Sequence, residues 1–161
     1  MPDVSVLTAA PFLAHWQGHR HLTRRVIEAF PDDDAFTTFS VGGMRPFAAM
    51  VAELLQIAAP ILRGVATGDW SGETVEPPPT RAEALRQWDH ATAEIDRLWP
   101  EVPAHRFEEV DTAFGQWEGP GYWQLLYAVD NEVHHRAQAY VYLRVLGAEP
   151  PPFWERGEPA S

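Results

Sequence analysis

The stretch Asp130-Asn131-Glu132-Val133-His134-His135-Arg136-Ala137-Gln138, continued by AYVYLRVLG over residues 139–147, decides how the rest of this chain is read. It sets two adjacent histidines among carboxylates and an amide, yet its apolar residues keep helical spacing. On a 3.6-residue wheel Leu126, Val129, Val133, Ala137, Tyr140 and Val141 form the main apolar stripe, expected to face a core. Asn131 and His135 lie four apart and project from one face, in a lane shared with Gln124, Ala128, Gln138 and Tyr142. His134 and Glu132 point about 100° away from that lane. One face thus offers an imidazole and an amide at the separation two ligands need to grip one ion.

Outward from this stretch, the helix is predicted to open near Gly121 and run to Leu146. Gly147 ends it as a C-terminal cap, with EPPP just beyond. Three further apolar-periodic segments precede it. The first runs from Thr8 to Phe30 and ends at the turn signal PDDDAF. The second runs from Arg45 to Arg63, with Pro46 in its first turn and Pro60 as a bend near its end. The third runs from Arg81 to Trp99, opened by the capping box Thr80-Arg81-Ala82-Glu83. The span from Pro100 to Pro120 is irregular, with room for a short extended pair. Phe153 and Trp154 are expected to dock the tail. Four helices joined by proline-rich loops predict an all-α four-helix bundle, one domain over residues 1–161.

Composition narrows the function. The chain has 161 residues, a net charge of -11, no cysteine, and twelve basic residues that are all arginine. Such an acidic balance argues against nucleic-acid binding, which rests on clustered basic side chains. Without cysteine there is no disulfide, thiolate ligand or thiol nucleophile. No uninterrupted apolar run reaches the ~20 residues that cross a bilayer, and no secretory leader is evident, so no membrane partner and a cytoplasmic location are expected. GxSxG elbows, phosphate loops and dinucleotide fingerprints are missing as well.

The second helix holds a matching oddity. Glu53 sits among Met50, Leu54 and Ile57, on or beside the buried stripe, where an ionised carboxylate is costly unless paired or metal-bound. Two readings stay open on the residues alone. Glu53 and His135 are ligands of one ion, or Glu53 pairs with Arg136 or Arg63 while His135 is an ordinary interfacial histidine. His15 and His19, also four apart, are a second candidate pair. Of His15, His19 and His21, one is expected to line the bundle's open end and the others to be solvated; His90 and His105 read as surface residues.

Two segments resemble a known family. NEVHHRAQAYVYLRVLGAEPPP (residues 131–152) is similar to the HExHHRGQ…LGxxPP motif of the DinB-like superfamily, also called YfiT-like, and FSVGGMRPFAAMVAELL (residues 39–55) is similar to its PGMRSxxxLxxH segment. The resemblance covers most of the chain. It implies a DinB-like four-helix bundle, homodimers, and three histidines holding a divalent metal, Zn or Ni, with water in an open position. Carried onto this sequence, those three places fall on Glu53, Asn131 and His135, and only His135 matches. The family's activities imply a metal-dependent transferase acting with a small-molecule thiol, with Arg136 or Arg45 orienting a substrate carboxylate. The alternative is a metal-free, stress-associated dimeric bundle that binds a small apolar ligand, the ion's place taken by a direct Glu53–His135 hydrogen bond. Hydrolysis by a metal-bound water, with Glu132 or Asp130 as base, ranks third.

Overall fold

The structure, a computed structural model, describes residues 7–157. Four long helices dominate: α1 (Ala9–Ala29), α3 (Phe47–Thr67), α4 (Arg81–Leu98) and α5 (Gly121–Val145), with a short α2 (Asp33–Thr38) after the first. Two 3-10 turns (Trp99–Glu101 and Ala104–Phe107) lead from α4 into a hairpin of β1 (Val110–Ala113) and β2 (Trp117–Pro120), the extended pair expected in that span. Both α1 and α3 pack against α4 and α5, so α1 and α3 sit diagonally across the bundle.

Each boundary has a local cause. PDDDAF is a helix start, not only a stop: Asp32 accepts from the Ala35 backbone N–H at 2.7 Å, and Asp33 and Asp34 in the first turn complement the helix dipole. Thr80 caps α4 through the Glu83 N–H as the sequence predicts, but the Glu83 carboxylate does not reach back; it binds Arg86 and Gln87. Pro46 caps α3 from outside, and α3 runs on through Pro60 to Thr67. By length and composition α3 does suffice to cross a membrane, with mean hydropathy 1.5, but 67% of that window is buried within the bundle. Its apolar residues are spent on helix packing.

Two apolar clusters fill the interior. One gathers Val26, Phe30, Phe36, Phe47, Met50, Trp88, Tyr142 and Leu143; the other gathers Phe12, Trp16, Leu62, Ile95, Leu98, Leu125 and Val129. Along α1 and α5 the residues between them are polar: His19, Arg20, Thr23, Glu132 and Arg136 are all buried. This layer overturns the expected stripe of α5. Leu126, Val133 and Val141 are 37%, 38% and 47% exposed, Ala137 also faces outward, and only Val129 of the six is buried. The supposed polar lane of Gln124, Ala128, His135 and Tyr142 is the inner face. Counting apolar positions chose the wrong side because Glu132 and Arg136 are inside, where they neutralise each other and bond to α1.

The tail also docks otherwise than expected. Phe153 and Trp154 are 66% and 68% exposed. Polar contacts hold the segment instead: Tyr140 donates to the Pro151 carbonyl at 2.7 Å, and Arg25 reaches Glu155. Gly18 makes the approach possible, since a Cβ there would stand 2.7 Å from the Arg156 carbonyl oxygen.

Candidate functional site

Glu53 projects from α3 and meets α5 at Asn131 and His135, so the three positions singled out in the sequence are brought together. Glu53 Oε1 accepts from Asn131 Nδ2 at 3.1 Å and lies 3.0 Å from His135 Nε2. Arg45, just before α3, donates from Nη2 to Glu53 Oε2 at 2.5 Å. Its backbone is pinned across the bundle, because the Tyr142 hydroxyl donates to the Arg45 carbonyl at 2.7 Å. His135 Nδ1 lies 3.2 Å from the side-chain amide of Gln138. Glu53 therefore pairs with Arg45 and His135, not with Arg136 or Arg63. Burial alone would raise the Glu53 pKa, but the hydrogen bonds from Arg45, Asn131 and His135 outweigh it and bring it to about 2. The folded value lies below the ordinary one, so this carboxylate stabilises the bundle above pH 4.5 and loses that contribution as pH falls towards 2.

The donor set does not suit a divalent ion. Three donors from the chain already occupy the two oxygens of Glu53, one of them a permanent cation. Asn131 presents its NH2 to the carboxylate and leaves its buried Oδ1 without a partner. An amide oxygen is a weak ligand for Zn or Ni, and Arg45 would add a fixed positive charge beside the ion. Among the described residues no group of three or more His, Asp or Glu side chains is arranged to hold a metal.

Arg136 is not in this cluster. It is buried on the α1 side, donating to the His19 carbonyl at 3.2 Å, to Thr23 Oγ1 at 3.0 Å and to His19 Nδ1 at 2.8 Å. Glu132, named as a possible base, also faces α1, where Thr23 donates to it at 2.6 Å; Asp130 faces outward. The expectation for His15 and His19 changes too. Arg136 can only donate, so His19 Nδ1 accepts from it, and His19 Nε2 lies 3.2 Å from His15 Nε2. With Arg156 also 3.0 Å from His19 Nε2, the pair is unsuited to a cation.

Burial first, then Arg136, His15 and Arg156, lower the His19 pKa to about 3. The unfolded chain therefore takes up this proton before the folded one does, and stability falls as pH drops from 6.5 towards 3. We expect a slope of up to ~1.4 kcal/mol per pH unit from this one group. Urea unfolding of His19→Asn across that window checks it: the variant's curve should be flatter by about that slope.

Beyond the cluster the same two helices border a cavity of about 530 Å³, bounded by Gln56 and Ile57 of α3, Trp123 and Tyr127 of α5, and Phe114 and Trp117 of the hairpin. Ile57 follows Glu53 by one helical turn and Tyr127 precedes Asn131 by one, so the cluster and the cavity are consecutive along one groove. The segment after α3 forms another wall. Trp70 lies against the α3 backbone at Gly64, where a Cβ would stand 2.1 Å from the ring, and its indole donates to Asp111 at 2.9 Å. Sequence reading missed this cavity because its walls come from four separate elements. The visible hint was Phe114-Gly115 between two short strands, and Phe114 does adopt a left-handed φ of 51°.

The pattern of the DinB family matches residues 4–160. The fold is similar to a crystal structure of a DinB-like protein from Bacillus cereus ATCC 10987, with TM-score 0.74 and 15% identity over 89% of this chain and 95% of that one. It is also similar to a DinB-like protein, YjoA, from Bacillus subtilis, with TM-score 0.70 and 16% identity over 89% and 97% of the two chains. No curated protein matches. The motif-bearing helices, the bundle they build and the near-complete family match agree, and the chain belongs to the DinB family.

Proposed function

We propose that this chain is a DinB-family bundle that binds a small molecule without a divalent metal, the family's ion position being taken by the Glu53–His135–Asn131–Arg45 cluster. One observation carries this reading: the Arg45 guanidinium lies 2.5 Å from Glu53 Oε2 while Asn131 and His135 hold Oε1. An entering ion would have to displace that guanidinium or share the carboxylate with it. The cluster closes one end of the groove, and the aromatic cavity beside it accepts the ligand. The other reading, a metal-dependent thiol transferase, needs Glu53 and His135 as free ligands. Thermal unfolding of untagged protein separates the two. A ligand at 100 times its Kd adds about 2.7 kcal/mol, a shift of roughly 5–11 °C for a chain of this size. We expect no such shift on adding Zn or Ni and no loss with a chelator; a shift of that size would favour the transferase.

Self-association is supported by a second observation, and we propose it for the outer face of α5. Tyr122, Leu126, Val133, Val141 and Val145 are exposed apolar residues along that face. A twofold axis between Val133 and His134 sets Leu126 against Val141 and Tyr122 against Val145, so the stripe is complementary to itself in an antiparallel pair. Val141→Asp should convert a dimer to a monomer in concentration-dependent sedimentation without lowering thermal stability. A wild-type protein that stays monomeric throughout would remove this reading.

A further inference from the structure

The cavity's lining specifies the charge of what it binds. Its aromatic walls are Phe114, Trp117, Trp123 and Tyr127; among the described residues its one charged lining residue is Glu73, and no basic side chain contributes. Its two best-anchored polar residues have their amide NH2 groups engaged elsewhere: Gln56 donates to the Val75 carbonyl at 3.2 Å and Gln124 to the Trp117 carbonyl at 2.9 Å. Each amide keeps its oxygen as an acceptor and one N–H as a donor. The site therefore offers ring faces, neutral polar groups and one carboxylate.

Aromatic faces are electron-rich and attract cations, most strongly when water is excluded. An anionic ligand meets no guanidinium or imidazole among the described lining residues. The whole chain, at -11, adds a long-range field of the same sign. Phe114 and Gly115 take positive φ, 51° and 69°, as the tight turn between β1 and β2 requires, and that turn sets the Phe114 ring at the cavity wall, edge-on to Trp70 and Trp117.

We infer that the cavity binds a small organic cation, an amine or quaternary ammonium carrying an apolar or aromatic body, with Trp117, Trp123, Tyr127 and Phe114 around the ligand and Glu73 opposite its charge. This deepens the reading of the chain as a small-molecule binder. Its test is independent of the metal question, because the titrations run in chelator and read the cavity alone.

The probes are benzyltrimethylammonium, benzyl alcohol and benzoate, followed by tryptophan fluorescence and calorimetry on the full chain. The cation should bind saturably and at least ~5-fold more tightly than the alcohol, with benzoate weakest. Glu73→Gln should weaken the cation by about 5-fold and leave the alcohol unchanged, a difference that general unfolding cannot produce. Trp123→Ala should weaken both. Absence of saturable cation binding overturns the inference. So does benzoate or benzyl alcohol binding as well as the cation, or a cation affinity indifferent to Glu73→Gln.

Discussion

Glu132→Ala should destabilise the bundle by about 3–5 kcal/mol, read by urea unfolding at neutral pH. Glu132 and Arg20 are each 1% exposed, and their charged groups stand 3.6 Å apart. Arg136 approaches the same carboxylate from its own helix at 3.7 Å. Removing Glu132 leaves two buried guanidiniums without the carboxylate they share, with Asp89 a weaker attraction on Arg20. Burial already lowers the Arg20 pKa to about 10, with Glu132 the main opposing influence, while burial raises that of Glu132. Arg20 is otherwise well held: it stacks over Trp88 at 3.5 Å, bonds to Thr92 at 3.0 Å and to the Trp88 carbonyl at 3.1 Å. It cannot swing out to water without breaking these. Against a total stability of about 5–15 kcal/mol, the loss is large. Glu132→Gln, which keeps the shape but not the charge, should lose somewhat less. A variant within ~1 kcal/mol of wild type would mean that the layer is not electrostatically coupled.

The second large effect is a gain. Combining Arg45→Ala with Asn131→His should raise zinc affinity on the order of 100-fold over wild type, by calorimetric titration. The first change removes the cation that competes for Glu53. The second puts an imidazole one helical turn from His135, so that two ring nitrogens and a carboxylate converge. Either change alone should give less, because each leaves one obstacle in place. Adding His135→Ala should cancel the gain. If the double variant binds zinc no better than wild type, Arg45 and Asn131 are not what closes the position.

The helical scaffold was legible because its signals are local. Thr80, Gly147 and the apolar spacing of α1, α3 and α4 report on a few neighbouring residues, and the ends follow from capping chemistry. The meeting of Glu53 with Asn131 and His135 was legible as well, through motif resemblance and one misplaced carboxylate. The inner face of α5 was not. Val133 and Val141 look like core, and Glu132 and Arg136 look like surface, until Arg20 and Thr23 of α1 are known to lie opposite. The Arg45–Glu53 contact was hidden for a related reason: the two residues are eight apart, across the turn that starts α3. The cavity depends on how a strap, a hairpin and two helices converge, which no single window of sequence records.

On the proposed reading the chain's own side chains fill the family's ion position. Elemental analysis of protein purified without a histidine tag and without added metal tests it most directly. Far less than one equivalent of any divalent transition metal per chain is expected. One equivalent of zinc or nickel, lost together with Glu53→Ala or His135→Ala, would contradict it.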